Sequence, residues 1–279
     1  MQRITFSEIE TLQKIAKEIR KDIIKMTGNA GSGHPGGSLS CVEILVSLFF
    51  KVMRHDPKNP TWSERDRFIL SKGHGAPALY ATLAQCGYIE REELLTLRKI
   101  GSRLQGHPDK RFLPLLEVST GSLGQGLSVG VGVALAGKID KKDYRVYVLI
   151  GDGESQEGQV WEAAMFSSFH KLDNLCAIMD YNKFQLDGRI SEILDIEPVI
   201  KKWQSFGWEV FEVKDGHNFE EILWAFEEAK KIKHKPQIII AHTIKGKGVS
   251  FMEGNNHFHG RAPNKEEEIR ALKEISEDL

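Results

Sequence analysis

Three unbroken apolar runs constrain the fold of this chain more than any other feature: "RVYVLIG" (145–151), "LCAIMDYN" (175–182) and "PQIIIAHTI" (236–244). None alternates apolar with polar residues, as a strand with one wet face would. Continuous runs of this length belong to strands covered on both faces. A further strand is expected at 208–213, and helical spacing at about 197–205 and 219–233 separates the runs. The alternation predicts an α/β fold, a mostly parallel central sheet with helices on both faces. A length of 279 residues allows one large α/β domain or at most two small ones, and with no internal repeat or low-complexity linker one domain over 1–279 is expected.

The N-terminal half carries its glycines in clusters. Residues 7–27 space their apolar side chains as a helix, with Ser7 as the expected N-cap and Glu10 completing a capping box. A glycine-rich loop, "GNAGSGHPGGSLS" (28–40), precedes an apolar helix from about Cys41 to Val52. "DRFILSKGHGAPALYATLAQCG" reads as a short strand, a tight Gly-His-Gly turn and a helix; "LEVSTGSLGQGLSVGVGVALAGK" repeats the arrangement. Each glycine inside a helix costs ~0.5–1 kcal/mol relative to alanine. The helix from Gly124 to Gly137 is therefore expected to have something packed close to its backbone, with an assembly interface as the candidate. From about 264 the chain ends in an extension, a solvated charged helix capped by Asn264 with Glu267 three positions on.

Lys plus Arg, 38, nearly balance Asp plus Glu, 39, which argues against a nucleic-acid or membrane partner. No apolar segment approaches the ~18 residues of a membrane span, and "MQRITFSEIE" lacks the basic-then-apolar pattern of a signal peptide. Cys41, Cys86 and Cys176 are scattered without metal-ligand spacing. A cytoplasmic protein is expected.

In parallel sheets ligands bind beyond the carboxyl ends of the strands. Asp152, between Gly151 and Gly153, and Asn182, thirty positions later, occupy two such ends; Lys245 follows a third and His74 a fourth. A carboxylate and an amide oxygen suit a small hard cation such as Mg²⁺, which completes its shell with phosphate oxygens and water. The helix start after Gly153 offers backbone N–H groups to a phosphate. Each residue also has a plainer reading, Asp152 as a helix cap and Asn182 as a turn residue. Gln156 stands where a dinucleotide fingerprint needs its third glycine, and "GKGVS" lacks P-loop spacing, so nicotinamide and NTP are not expected.

Gly-Asp-Gly, about thirty residues and then Asn resembles the signature of thiamine diphosphate (ThDP) enzymes. "GSGHPGGSLS", "LSKGHGAPALYA", "GHPD…STGSLGQGLSVGVGVA" and "NNHFHGRAPN" are similar to the transketolases, across residues 31 to 264. The resemblance implies the ThDP-binding fold, with Mg²⁺ (Ca²⁺ or Mn²⁺ as substitutes) held by the side chains of Asp152 and Asn182 and the carbonyl of Phe184. It implies that Gly121, Ser122, Leu123 and Gly124, in a turn running to Gln125, line the cofactor with Gly151, Gly153 and Glu154.

Four of the ten histidines, His34, His74, His107 and His259, lie in turns bracketed by glycine or proline. Imidazole can hold or donate a proton near neutral pH, and breaking a ketose C2–C3 bond needs both actions. By resemblance His34 and His107 contact the donor's hydroxyls, His74 faces cofactor and substrate, and His259 lies by the diphosphate and the reacting carbons. His55, His170, His217, His234 and His242 are read as structural, and the His257/His259 pair lacks the further ligands zinc needs. Lys245 is read either as a contact of the cofactor phosphate or substrate, or as an exposed loop lysine.

The family also needs a pyrimidine-binding domain, which carries a glutamate that activates the cofactor. None follows here, so the resemblance implies the N-terminal subunit of a split transketolase acting on sugar phosphates. In a heterotetramer with two copies of each chain, it would pair with a C-terminal transketolase subunit. The rival readings are a subunit of another ThDP enzyme, deoxyxylulose-phosphate synthase-like or 2-oxoacid dehydrogenase E1-like, and a non-catalytic scaffold.

Overall fold

The computed structural model describes residues 4–277. Helix α1 (Phe6–Ala30) leads to a short α2 (Pro35–Leu39) and to α3 (Val42–Ser47), which widens into a π turn over Leu48–Val52. Strand β1 (Arg67–Leu70) is followed by a tight turn, Gly73–Gly75, and α4 (Ala76–Gln85). Then come α5 (Gln125–Ile139), β2 (Val146–Gly151), α6 (Gly158–Phe169) and β3 (Leu175–Tyr181). The chain continues through α7 (Ile190–Ile193), α8 (Val199–Ser205), β4 (Glu209–Val213) and α9 (Phe219–Lys231), and closes with β5 (Gln237–His242) and α10 (Lys265–Glu277).

All strands pair in parallel, in the order β1-β2-β3-β5-β4. Crossovers between parallel strands are right-handed, so the direction of each step decides which face its helix covers. Steps from β1 towards β4 place α5, α6 and α8 on one face, where Val131, Ala134, Val160, Ala164 and Trp203 meet Val146, Val148 and Ile150. The backward step from β4 to β5 places α9 on the other face. There Ile222 and Phe226 join α1, α3 and α4 over Tyr147, Leu149, Ile178 and Ile239. Both faces of β2 are therefore dry, as its unbroken apolar run requires.

Several local expectations shift. The cap of α1 is Thr5 with Glu8, not Ser7 with Glu10: Thr5 Oγ1 accepts from Glu8 N–H (3.3 Å) and the Glu8 carboxylate accepts from Thr5 N–H (2.9 Å). An equivalent Thr-x-x-Glu spacing occurs two residues upstream, and the helix takes the earlier start. The loop at 28–40 is partly helical, because Pro35 needs no N–H partner at the first position of α2. The terminal helix has the predicted Asn264–Glu267 box (2.8 and 2.9 Å) but is not solvated all round, since Ala271 and Ile275 are buried on its inner face.

The glycines of α5 mostly face inward. A Cβ at Gly130 would lie 2.5 Å from Val148 Cγ2, at Gly126 2.5 Å from Ser71 Oγ, and at Gly137 2.8 Å from the Tyr144 ring. Gly132 alone among these four has open space. The close packing anticipated for an assembly interface is thus made mainly with the chain's own sheet.

Candidate active site

The register brings the strand ends together. Leu70 lies beside Leu149, Gly151 beside Asp180 and Tyr181 beside His242. Ser71, Lys72, Asp152, Asn182 and Thr243 therefore emerge at one edge. Beneath them Asp180, fully buried, accepts from Lys72 Nζ, Ser40 Oγ (2.6 Å), Thr243 Oγ1 and Asn182 Nδ2 (3.0 Å). Lys72 also donates to the Gly37 carbonyl (2.7 Å). Burial opposes both charges, but mutual attraction prevails: Asp180 is held below the usual carboxylate range and Lys72 above the usual amine range.

Asp152 differs from this pair. Its carboxylate accepts from Gly153 N–H (2.7 Å) and Lys183 N–H, and it caps the short turn at 153–156. Burial, followed by the charge of Asp180, pushes its pKa up to about 7. A buried carboxylate with only backbone donors is the environment a dication relieves. Asn182 immediately precedes Lys183, whose N–H donates to Asp152, and its Oδ1 accepts from Phe184 N–H (3.1 Å), which fixes the start of the 183–190 loop. Among the described residues no three His, Cys, Asp or Glu side chains form a metal cluster. A carboxylate and an amide oxygen at neighbouring strand ends are donors of the kind a small hard cation takes.

The glycine turns complete a cradle. Gly121 (φ 141°) and Gly124 (φ 82°) have backbone angles that side chains avoid. The backbone of Gly73 packs on this turn so closely that a Cβ there would lie 2.7 Å from Gly121 N. Among the described residues the buried hydroxyl of adjoining Thr120 has no partner. Glu154 braces the turn from below, accepting from Gly124 N–H (2.8 Å), Gly151 N–H (2.9 Å) and the Ser71 hydroxyl. Its carboxylate is thus committed to the protein, while Ser122 and Leu123 complete the turn and the Leu123 carbonyl accepts from Gln159 (2.9 Å).

The four singled-out histidines meet. The His34 ring centroid lies 5.6 Å from His74, 5.7 Å from His107 and 5.9 Å from His259, and His74 stacks on His259 at 5.2 Å. Burial holds all four below the ordinary imidazole value, His34 at about 4 and His259 at about 3. Burial therefore favours the neutral form throughout the cluster. The remaining histidines lie elsewhere; His217 and His242, for example, hydrogen-bond Glu43 and Glu212 (both 2.8 Å).

Lys245 is not an exposed loop lysine: it is 1% exposed. Its Nζ contacts Asn256 Oδ1 (2.6 Å) and His259 Nδ1 (2.7 Å), and burial lowers its pKa to about 7. Sequence reasoning missed Lys72, Asp180, Ser40, Thr243 and Asn256. The polar "D" and "K" within "LCAIMDYN" and "FILSKGHG" were available as signals, since charges at the ends of buried strands require partners.

A family model described as "Transketolase, thiamine diphosphate binding domain" matches residues 11–276. The chain is 49% identical to the 6-deoxy-6-sulfo-D-fructose transketolase subunit SqwG of Clostridium sp. (strain MSTE9), over 96% of this chain and 97% of that one. It is 46% identical to an apulose-4-phosphate transketolase subunit of Phocaeicola vulgatus, over 98% and 96%. The transketolase structure from Campylobacter jejuni superposes with a TM-score of 0.90 at 37% identity, covering 96% of this chain and 43% of that one. The chain thus spans nearly the whole of the subunit relatives and less than half of the solved transketolase.

Proposed function

Because the chain belongs to the transketolase family, we propose that it is the N-terminal subunit of a split, ThDP- and divalent-cation-dependent transketolase. In this reading it moves a two-carbon ketol unit from a ketose phosphate to an aldose phosphate. The observation that carries the proposal is the meeting of four histidine rings, with His259 hydrogen-bonded to Lys245, at the edge where the β2 and β3 tips bring Asp152 and Asn182. Asp152, Asn182 and the Phe184 carbonyl would hold Mg²⁺, with Ca²⁺ or Mn²⁺ as substitutes. The Gly121–Gly124 turn and Gly153 would receive the diphosphate.

When bound, ThDP supplies the carbanion chemistry. The chain's own residues orient the sugar and handle its protons. Neutral imidazoles can accept the C3 hydroxyl proton as the C2–C3 bond breaks and can donate N–H groups to the carbonyl oxygen. Lys245, bonded to His259 Nδ1, positions that ring. A separate chain would provide the pyrimidine domain, the two pairing as a heterotetramer. The names of the subunit relatives support a two-chain enzyme and ketoses beyond the common pentose phosphates. A cytoplasmic setting is part of the same proposal, in keeping with three unpaired cysteines. No described helix is long and apolar enough to cross a membrane.

Reconstitution tests this. The chain mixed with its partner, ThDP, Mg²⁺ and a ketose phosphate should transfer ketol units. The chain alone should not, and robust turnover without a partner would overturn the split reading. In the reconstituted complex Asp152→Ala should abolish Mg²⁺-dependent ThDP binding; unchanged cofactor affinity would refute the metal assignment.

A further inference from the structure

We infer that Arg98 is a positioning residue, whose guanidinium sets the tautomer of His34 so that this ring presents Nε2–H to the site. The inference rests on the reading of the histidine cluster as a ketose-donor site. Arg98 Nη2 lies 3.3 Å from His34 Nδ1. A guanidinium has donors and no acceptor, so Nδ1 must accept, and a neutral imidazole that accepts at Nδ1 carries its proton at Nε2. Nε2 points towards Gly260, where an added Cβ would sit 3.8 Å from it, and among the described residues it has no hydrogen-bond partner. A sugar oxygen approaching there meets a donor, not a lone pair. Burial, and after it the charge of Arg98, holds His34 neutral.

The arginine is itself held for this task. Its backbone is left-handed (φ 60°), an uncommon conformation for a side chain of this size. Its N–H donates to the Leu104 carbonyl (2.9 Å) and Nη1 donates to Ser32 Oγ (2.6 Å). Gly106 makes room for it: a Cβ there would lie 2.9 Å from Nε and 3.0 Å from Cζ. Gly106 has no positive φ, and the three atoms nearest an added Cβ all belong to the Arg98 guanidinium, so an alanine would crowd that group first. Among the described residues no carboxylate influences Arg98. Its charge is therefore directed at the rim of the site and not consumed in a scaffold ion pair.

The test uses the full chain with ¹⁵N-labelled histidine, in which ring nitrogen shifts report the tautomer, with His34→Gln assigning the signals. The native chain should show His34 protonated at Nε2. Arg98→Met and Gly106→Ala should both move it towards a mixture of tautomers, and Arg98→Lys, which keeps a donor, should largely restore it. In the reconstituted enzyme Arg98→Met and Gly106→Ala should raise the donor KM on the order of tenfold, the loss of the one neutral hydrogen bond that His34 Nε2–H gives the donor, with ThDP affinity unchanged. Retention of the Nε2–H form in both variants overturns the inference. If the tautomer shifts as expected but the native complex transfers no ketol unit, the role of Arg98 stands and the functional reading fails.

Discussion

Two groups of buried charges lie side by side at the carboxyl edge of the sheet and behave in opposite ways. Around Asp180 every demand is met from within: one ammonium, two hydroxyls and one amide converge on the carboxylate. Both partners of this pair are driven towards their charged forms. Around Asp152, Lys245 and the histidines burial wins instead, with Asp152 and Lys245 both brought to about 7 and His34 to about 4. The first group is scaffold. The second carries electrostatic demands that the chain does not satisfy by itself, as expected of a site shaped for ligands.

Breaking the scaffold pair should have the largest effect on stability. Lys72→Met leaves Asp180 buried without its cation and should cost about 3–5 kcal/mol in a denaturant titration. Adding Asp180→Asn should recover a substantial part. If the single variant unfolds like the native chain, the contrast between the two groups is lost. A smaller loss, about 1.5–3 kcal/mol for a hydrogen bond to a charged group, is expected for Ser40→Ala, whose hydroxyl lies 2.6 Å from Asp180.

The open group should respond to pH. His34 is pushed down in the folded chain to about 4, below its ordinary value of ~6.5, so the unfolded chain binds the extra proton between those values. Stability due to this group is complete above about 6.5 and falls as pH drops towards 4. His34→Gln should flatten the acid limb of stability against pH by up to one proton; an unchanged slope would show that His34 is not held neutral. Asp152→Ala should have the smallest effect on the fold, within about 1 kcal/mol at neutral pH. Two backbone hydrogen bonds are lost, while an incompletely paired buried charge is relieved. A loss as large as that of Lys72→Met would place Asp152 with the scaffold.

Much of this was legible in the order of residues. Unbroken apolar runs specify strands that must be dry on both faces, and alternation with helices then leaves a parallel sheet with ligands at its carboxyl edge. Gly-Asp-Gly, Asn182 and the four histidine turns marked that edge, because turn glycines and strand-end polar groups are local features. The cap of α1 was misplaced by two residues, since equivalent spacings compete within one turn. What the sequence alone did not determine is which charges are spent. Lys72 and Asp180 are 108 positions apart, and the sequence left open whether Lys245 was a site contact or an exposed loop lysine, which its burial decides. Arg98 and His34 are likewise 64 positions apart. Local periodicity reports the direction of a side chain relative to its own helix or strand. Whether a buried charge is paired, neutralised or left facing a ligand depends on partners delivered by other strands, and only the tertiary structure decides that.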